Sequence, residues 1–314
     1  MNKHFLPLLL AFVATAASAG NLPKLPARNI NFIVLSDSGD RDSTRREAAK
    51  AMAVGMNEAI TRCNIDFVAH TGDQIHDNGA KSSKDPEWKF KLLDIFSGDK
   101  LQSVEWHGVP GNHEYRGNPD AVAQFSDEQE WWESPSRYYS YTETLGNGET
   151  VLFLYTDTTP LVDKYVEKWS KGRYDKDYPK RELAWADSVL RNSDARWKIV
   201  LGHHPVFAMT DKTLAEKTDM QYTLLPVMEE GNVDLYINGH IHDFQHLKTM
   251  WSDIHFVTNA SGIRTRKPEA VIGTLYCAPG PGYMICSVSH SKIKFFFVHN
   301  DGEVIYSYTI KKQQ

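Results

Sequence analysis

Short apolar runs punctuate this chain, and five of them stop at Gly, Asp, Asn or His. Phe32–Leu35 runs into Ser36-Asp37-Ser38-Gly39, and Phe67–Ala69 leads to Gly72-Asp73-Gln74-Ile75-His76. Val104–Trp106 leads to Gly111-Asn112-His113-Glu114, Ile199–Leu201 to Gly202-His203-His204, and Leu235–Ile237 to Gly239-His240-Ile241-His242. Runs of this length and composition predict strands whose ends feed loops. In an α/β sheet the chemistry gathers at the carboxyl ends of the strands, so these five loops are predicted to converge.

Between the runs the pattern changes period. Thr44–Ile60 carries Ala, Met and Ile at helical spacing, and Asp85-Pro86 opens a further helix that ends near Gly98. Pro119–Glu128, Arg181–Leu190 and Leu224–Glu230 are predicted helices. Tyr138–Tyr141 and Val151–Tyr155 read as a hairpin across Gly146-Asn147-Gly148. After His246 the helical period disappears. Ile254–Val257, Tyr283–Val288, Ile293–Val298 and Val304–Ile310 are predicted strands, the last pair joined at Asn300-Asp301-Gly302. The chain thus opens as α/β and closes as a β-meander. Residues 158–178 and 278–282 are predicted loops.

Charge narrows the function little. The net charge is −5, with no basic block or basic–aromatic stripe, which argues against nucleic acid as a partner. The start is more informative. Lys3 precedes an apolar stretch from Phe5 to Ala17 and the small-residue site Ala17-Ser18-Ala19. That is the pattern of a cleavable secretory signal over residues 1–19, too short to span a bilayer comfortably. The expectation is a secreted or periplasmic protein with no membrane segment after cleavage. Cys63, Cys277 and Cys286 are too few for a disulfide scaffold.

The strand-end residues form a donor set. Asp37 and Asp73 offer anionic oxygen, Asn112 a neutral carbonyl, and His76, His203, His240 and His242 imidazole nitrogen. Mixed oxygen and nitrogen donors suit Zn, Mn or Fe. In Gly-His-x-His, alternate residues of an extended segment point the same way, so His240 and His242 can reach adjacent ions. Asp73 is the candidate bridge. Two ions about 4 Å apart can hold a hydroxide near neutral pH and grip a phosphate while it is attacked. His113 is the candidate acid for the leaving oxygen. His70, Glu114, Asp157 and His204 are candidates to steady the ligands or touch substrate, and His246 reads equally as a rim residue or a structural one. His107, His255, His290 and His299 lie in strand-like runs and read as structural.

The five blocks together resemble the calcineurin-like metallophosphoesterase superfamily, and most closely its small, tartrate-resistant purple acid phosphatases. The resemblance spans about Asn31 to Ile310. It also includes Gly111–Asn118, Pro135-Ser136-Arg137-Tyr138-Tyr139, Asp157-Thr158 and Leu201–Val206. It implies a four-layer α/β (α+β) fold, two packed mixed β-sheets flanked by helices, in one domain over 30–311. It implies hydrolysis of phosphate monoesters by a metal-bound hydroxide, with His113 assisting the leaving group. Phosphodiesterase or nucleotidase activity, or a non-catalytic metal- or phosphate-binding role, are the alternatives. By the same resemblance Asp37, His76 and His242 serve one ion, Asn112, His203 and His240 the other, and Asp73 bridges. Two departures stand out. His76 takes the place of the family's tyrosine, so a divalent ion is expected there rather than ferric iron. Residues 206–222 hold no second substrate histidine, which leaves Asp211, Glu216 or His113 alone for that task.

Overall fold

In the central strands, neighbouring side chains enter different cores. Strand β1 (Ile30–Leu35) sends Phe32 and Val34 to one face and Ile33 and Leu35 to the other, and all four are fully buried. A strand covered on both faces reads as an unbroken apolar run, which is why these segments show no alternation in the sequence. The computed structural model describes residues 22–169, 173–208 and 214–312. The signal-like residues 1–19 and Asp211 lie outside the described residues.

From β1 the chain passes through α1 (Ser43–Arg62), β2 (Phe67–His70), α2 (Pro86–Trp88), β3 (Glu105–Gly108) and α3 (Asp120–Gln124). It continues through β4 (Tyr139–Thr144), β5 (Thr150–Tyr155), α4 (Asp163–Trp169), α5 (Tyr178–Arg191), β6 (Trp197–Leu201), α6 (Leu214–Glu230) and β7 (Leu235–Asn238). Strands β8 (Phe244–Lys248), β9 (His255–Thr258), β10 (Thr274–Ala278), β11 (Gly282–Val288), β12 (Lys292–His299) and β13 (Val304–Lys311) complete it.

Two mixed sheets result, ordered β13-β12-β11-β1-β2-β3 and β10-β8-β9-β7-β6-β5-β4. Each has a parallel block, β1-β2-β3 at one end of the first and β5-β6-β7-β9 inside the second, and the remaining strands pair antiparallel. The core between the sheets is built on aromatic rings. Phe32 stacks on Phe67 with centroids 4.9 Å apart, and Phe153 of the opposite sheet meets both edge-on. Met52 and Met56 of α1 belong to the outer core of the first sheet, and Leu190, Leu224 and Met228 of α5 and α6 to that of the second. This is the four-layer arrangement that the resemblance implies.

The sequence reading needs three corrections. The stretch predicted as a loop from residue 158 to 178 contains α4 and buries Leu161, Val162 and Tyr165; surrounding charges mask its single apolar flank. Helix α6 begins at Leu214, ten residues before the predicted start, because its first turns are polar and yet bury Glu216 and Lys217. Strands β8 and β10 were not anticipated, since neither has the β-branched richness of the central strands. The three cysteines are free, so Cys277 and Cys286 form no disulfide. No described helix is long and apolar enough to cross a membrane.

Candidate metal centre

All five ligand loops leave the carboxyl ends of parallel strands, three from the first sheet and two from the second. Backbone donors tie the loops of each sheet together and then link the two sheets. Asp37 N–H donates to the Gly72 carbonyl at 3.1 Å, Gly239 N–H to that of His203 at 3.2 Å, and His240 N–H to Asp37 Oδ2 at 2.9 Å. Glycine permits the approach. A Cβ at Gly111 would lie 2.3 Å from Asp73 Oδ1, and one at Gly239 would lie 1.7 Å from Ser36 Oγ.

The local backbone is strained where the donors sit. Asp37, Asp73, His240 and His242 all have positive φ, between 50° and 69°. A non-glycine residue in that region costs on the order of 1–3 kcal/mol and persists where its surroundings over-determine it. Four such residues at one centre mark a place where ligand aim was kept at the expense of backbone ease. Part of that determination comes from Glu114. Its buried carboxylate accepts from Asp73 N–H, Ile75 N–H and Gly111 N–H at 2.9, 3.0 and 2.8 Å. It thereby staples the Asp73 loop to the Asn112 loop. Burial and the nearby Asp73 charge push Glu114 up to about 7, against the pull of those N–H donors.

The donors fall into two clusters joined by Asp73. In the first, His242 Nε2 is 3.0 Å from Asp37 Oδ1, and His76 Nε2 is 3.8 Å from the same oxygen. In the second, His203 Nε2 is 3.3 Å from Asn112 Oδ1 and 3.2 Å from His240 Nδ1. Asp73 Oδ2 lies between them, 3.2 Å from His203, 3.7 Å from His76 and 3.8 Å from His113. The structure therefore brings together all seven donors named from the sequence.

Hydrogen bonds fix the tautomers of the second cluster. A carbonyl only accepts, so His203 Nδ1 donates to Thr71 O at 2.9 Å and leaves Nε2 for the centre. His240 Nε2 faces the Glu216 carboxylate at 2.8 Å and leaves Nδ1 for the centre. Glu216 is buried and also accepts from Lys164 Nζ and Tyr165 Oη, at 2.6 and 2.8 Å. It both bonds His240 and lines the mouth. Burial resists its charge, but His240 and its other partners hold its carboxyl well below the ordinary range.

The field of the centre calls for cations. Burial penalises charge on Asp37, yet His242 and His203 keep its carboxyl well below the usual value. Asp73 is likewise held low, by His203 and His113 against its burial. In turn, although burial opposes it, Asp73 and Asp37 raise His203 to about 10. His76 is the clearest test of fit. It is fully buried, burial keeps it neutral, and neither ring nitrogen has a hydrogen-bond partner among the described residues. A buried imidazole with both nitrogens unsatisfied is costly, and an ion between Asp37, His76 and His242, whose ligand atoms lie within 4.8 Å of one another, relieves it. Two transition-metal ions fit these residues.

The remaining candidates divide. His113 lines the mouth, with Nδ1 donating to the Asp77 carbonyl at 2.9 Å and Nε2 free to face a ligand. His70 bonds Ser38 Oγ at 2.8 Å beneath the Asp37 loop. His204 bonds Thr158 Oγ1 at 2.8 Å, and its ring lies 4.6 Å from that of His240. Asp157 is buried behind the centre, accepting from Tyr115 and Tyr178 at 2.5 and 3.0 Å, and does not reach substrate. His246 is a correction. It sits on β8, bonded to His255 at 2.9 Å and Tyr306 at 3.0 Å within the packing between sheets, because the strand turns it away from the Gly-His-Ile-His loop. Sequence reasoning missed Lys164, Tyr165, Arg116, Arg264 and Arg266 at the mouth. The only signal was the pair of arginines in Arg264-Thr265-Arg266.

Comparison with known proteins agrees with this geometry. Residues 30–244 match the calcineurin-like phosphoesterase family. Purple acid phosphatase 17 of Arabidopsis thaliana is 32% identical over 98% of this chain and 94% of its own length. Among solved structures, GAP50, "the anchor in the inner membrane complex of Plasmodium", superposes with a TM-score of 0.72 at 22% identity, covering 91% of this chain and 90% of that one. Purple acid phosphatase PPD1 from yellow lupin (Lupinus luteus) seeds gives 0.63 at 14% identity, covering 90% and 54%.

Proposed function

The chain belongs to the calcineurin-like phosphoesterase family, and from that premise we propose that it is a dimetal phosphatase hydrolysing small phosphate monoesters outside the cytoplasm. The observation that carries the reading is His76, buried with two unsatisfied nitrogens beside Asp37 and His242. In this reading Asp37, His76 and His242 hold one ion, Asn112, His203 and His240 the other, and Asp73 both. Bound ions would neutralise phosphate charge and acidify a water. The protein's own part is orientation and proton supply. Asp73 Oδ1 accepts from His113 N–H at 2.8 Å and fixes the start of the turn. The Asp77 carbonyl takes the Nδ1 proton of His113, so any proton given to the leaving oxygen comes from Nε2. The catalytic domain extends over 30–311, because strands β9–β13 complete both sheets.

A scaffold role is the second reading, favoured by the likeness in fold to GAP50. The complete donor set speaks against it. One experiment separates them. The purified protein is stripped with chelator, reloaded with Fe, Zn or Mn, and assayed on 4-nitrophenyl phosphate, a nucleoside monophosphate and bis(4-nitrophenyl) phosphate. Two ions per chain with turnover of the monoesters is the expected result. Faster turnover of the diester would make it a phosphodiesterase, and bound metal without turnover a scaffold. The extracellular placement rests on residues 1–19, and an exported protein beginning at Gly20 checks it.

A further inference from the structure

Beyond β9 the chain returns to the centre and hangs from the backbone beside two ligands. Ser261 Oγ donates to the Asp37 carbonyl at 2.7 Å and accepts from Ile263 N–H and Arg264 N–H, both at 3.1 Å. Gly262 N–H reaches the Ser36 carbonyl at 3.1 Å, and Arg266 N–H the His242 carbonyl at 2.9 Å. The segment is thus held in place by bonds to the same backbone that aims Asp37 and His242.

It presents two arginines to a small mouth of about 160 Å³, shared with Arg116 and Lys164. These four cations are not equivalent. Lys164 is spent on Glu216 at 2.6 Å. Arg264 is paired with the buried Asp40 at 2.8 Å. Arg116 donates to the Asp77 carbonyl at 2.8 Å. Arg266 donates only to the carbonyls of His240 and Ile241, at 3.3 and 3.5 Å, and no carboxylate lies within 4 Å of it among the described residues. A guanidinium has five donors in a rigid fork suited to carboxylate or phosphate. Here it is half-buried, paired with no carboxylate and only within longer range of the buried Asp243, and beside the centre that would bind the scissile phosphate.

We infer that Arg266 is a second anion subsite, and that the preferred substrates are short phosphate monoesters whose alcohol carries its own carboxylate or phosphate. The inference rests on the monoesterase reading. The reaction is hydrolysis. Water forms the new P–O bond, the ester P–O bond breaks, and the alcohol leaves with a proton and its own anion still held by Arg266.

The test uses a matched pair, glycerol 3-phosphate and 3-phosphoglycerate, which differ in a terminal hydroxymethyl against a carboxylate. The metal-loaded wild type is expected to favour the acid by about tenfold in kcat/KM, the size of one good charge-assisted contact. Arg266→Ala should bring that ratio to about one, mainly through KM for the acid. Arg266→Gln, which keeps a donor for the two carbonyls, should lose the preference as well, while Arg266→Lys retains part of it. Metal content measured in each variant ensures that the ratio is read on a loaded centre. An unchanged ratio in Arg266→Ala, or a wild type that prefers the neutral alcohol, overturns the subsite and leaves the phosphatase standing. A wild type that turns over no monoester, including 4-nitrophenyl phosphate, overturns both.

Discussion

The two halves of the proposed metal centre are built differently. In the Asn112–His203–His240 half, the two imidazoles are aimed from behind, His203 by the Thr71 carbonyl and His240 by Glu216. In the Asp37–His76–His242 half, His76 has no such support and keeps its place by packing against His113 and His242, with ring centroids 4.3 and 5.7 Å away. Partners behind a ligand fix its tautomer and raise its basicity. Both imidazoles of one half are therefore aimed by hydrogen bonds, while in the other the His76 ring is placed by packing alone. The same contrast separates the elements. The aimed half draws its supports from the residue after β2 and from α6, whereas His76 is held through its backbone, by the Gly39 carbonyl at 2.9 Å and by buried Lys91.

The comparison can be broken most completely at the residue the halves share. Asp73→Ala is expected to empty both and to lower turnover by about 10³-fold or more, as loss of a bridging ligand should; metal analysis beside an aryl phosphate assay reads this. Retention of one ion at full occupancy would show that Asp73 belongs to one half only. Next, Glu216→Ala should weaken the Asn112–His203–His240 half about 10–100-fold while sparing the other. A metal titration resolving two binding steps checks it, and equal weakening of both would dissolve the distinction. A spectroscopic change is expected at His76. Wild type loaded with iron should lack an intense visible band, and His76→Tyr should gain one from phenolate-to-iron charge transfer. A band already present in wild type would identify another tyrosine as ligand.

The smallest effect concerns a buried acid pair outside both halves. Burial raises Asp157 to about 6 against the pull of Arg137 and its two tyrosine partners, and burial followed by the Asp157 charge raises Glu182. Between the ordinary carboxylate range and about pH 6 the folded state thus binds more protons than the unfolded one. Stability must fall as pH rises through that window. Glu182→Gln keeps an acceptor for Thr156 Oγ and Asp157 N–H, now at 2.8 and 2.7 Å, and should flatten the pH dependence of Tm by a few degrees. Both metal half-sites should stay loaded, which separates loss of stability from loss of ligands.

Much of the centre was legible because its ligands lie in contiguous blocks at strand ends, and Gly239-His240-Ile241-His242 announces itself without any fold. The central strands were legible for the same reason that they are buried on both faces. Glu216 was visible only as one acid among several in a polar stretch. Its part emerges when α6 packs and closes the sequence gap of 24 residues to His240. The role of Arg266 depends on a return of the chain to the centre that no local pattern reveals. His246 reads either way from its place shortly after His242, and the turn into β8 is what decides for a structural role. The signal-like start remains a statement about composition.

Asp37 and His242 meet across 205 residues of chain, and His203 meets the Thr71 carbonyl across 132. Contacts so far apart carry a large loop-closure entropy, and folds dominated by them assemble slowly. The donors of a single ion therefore do not coexist until both sheets have formed and docked. An ion in this centre acts as a latch on the finished molecule rather than a template for the growing one. By mass action its binding energy adds to the resistance against unfolding.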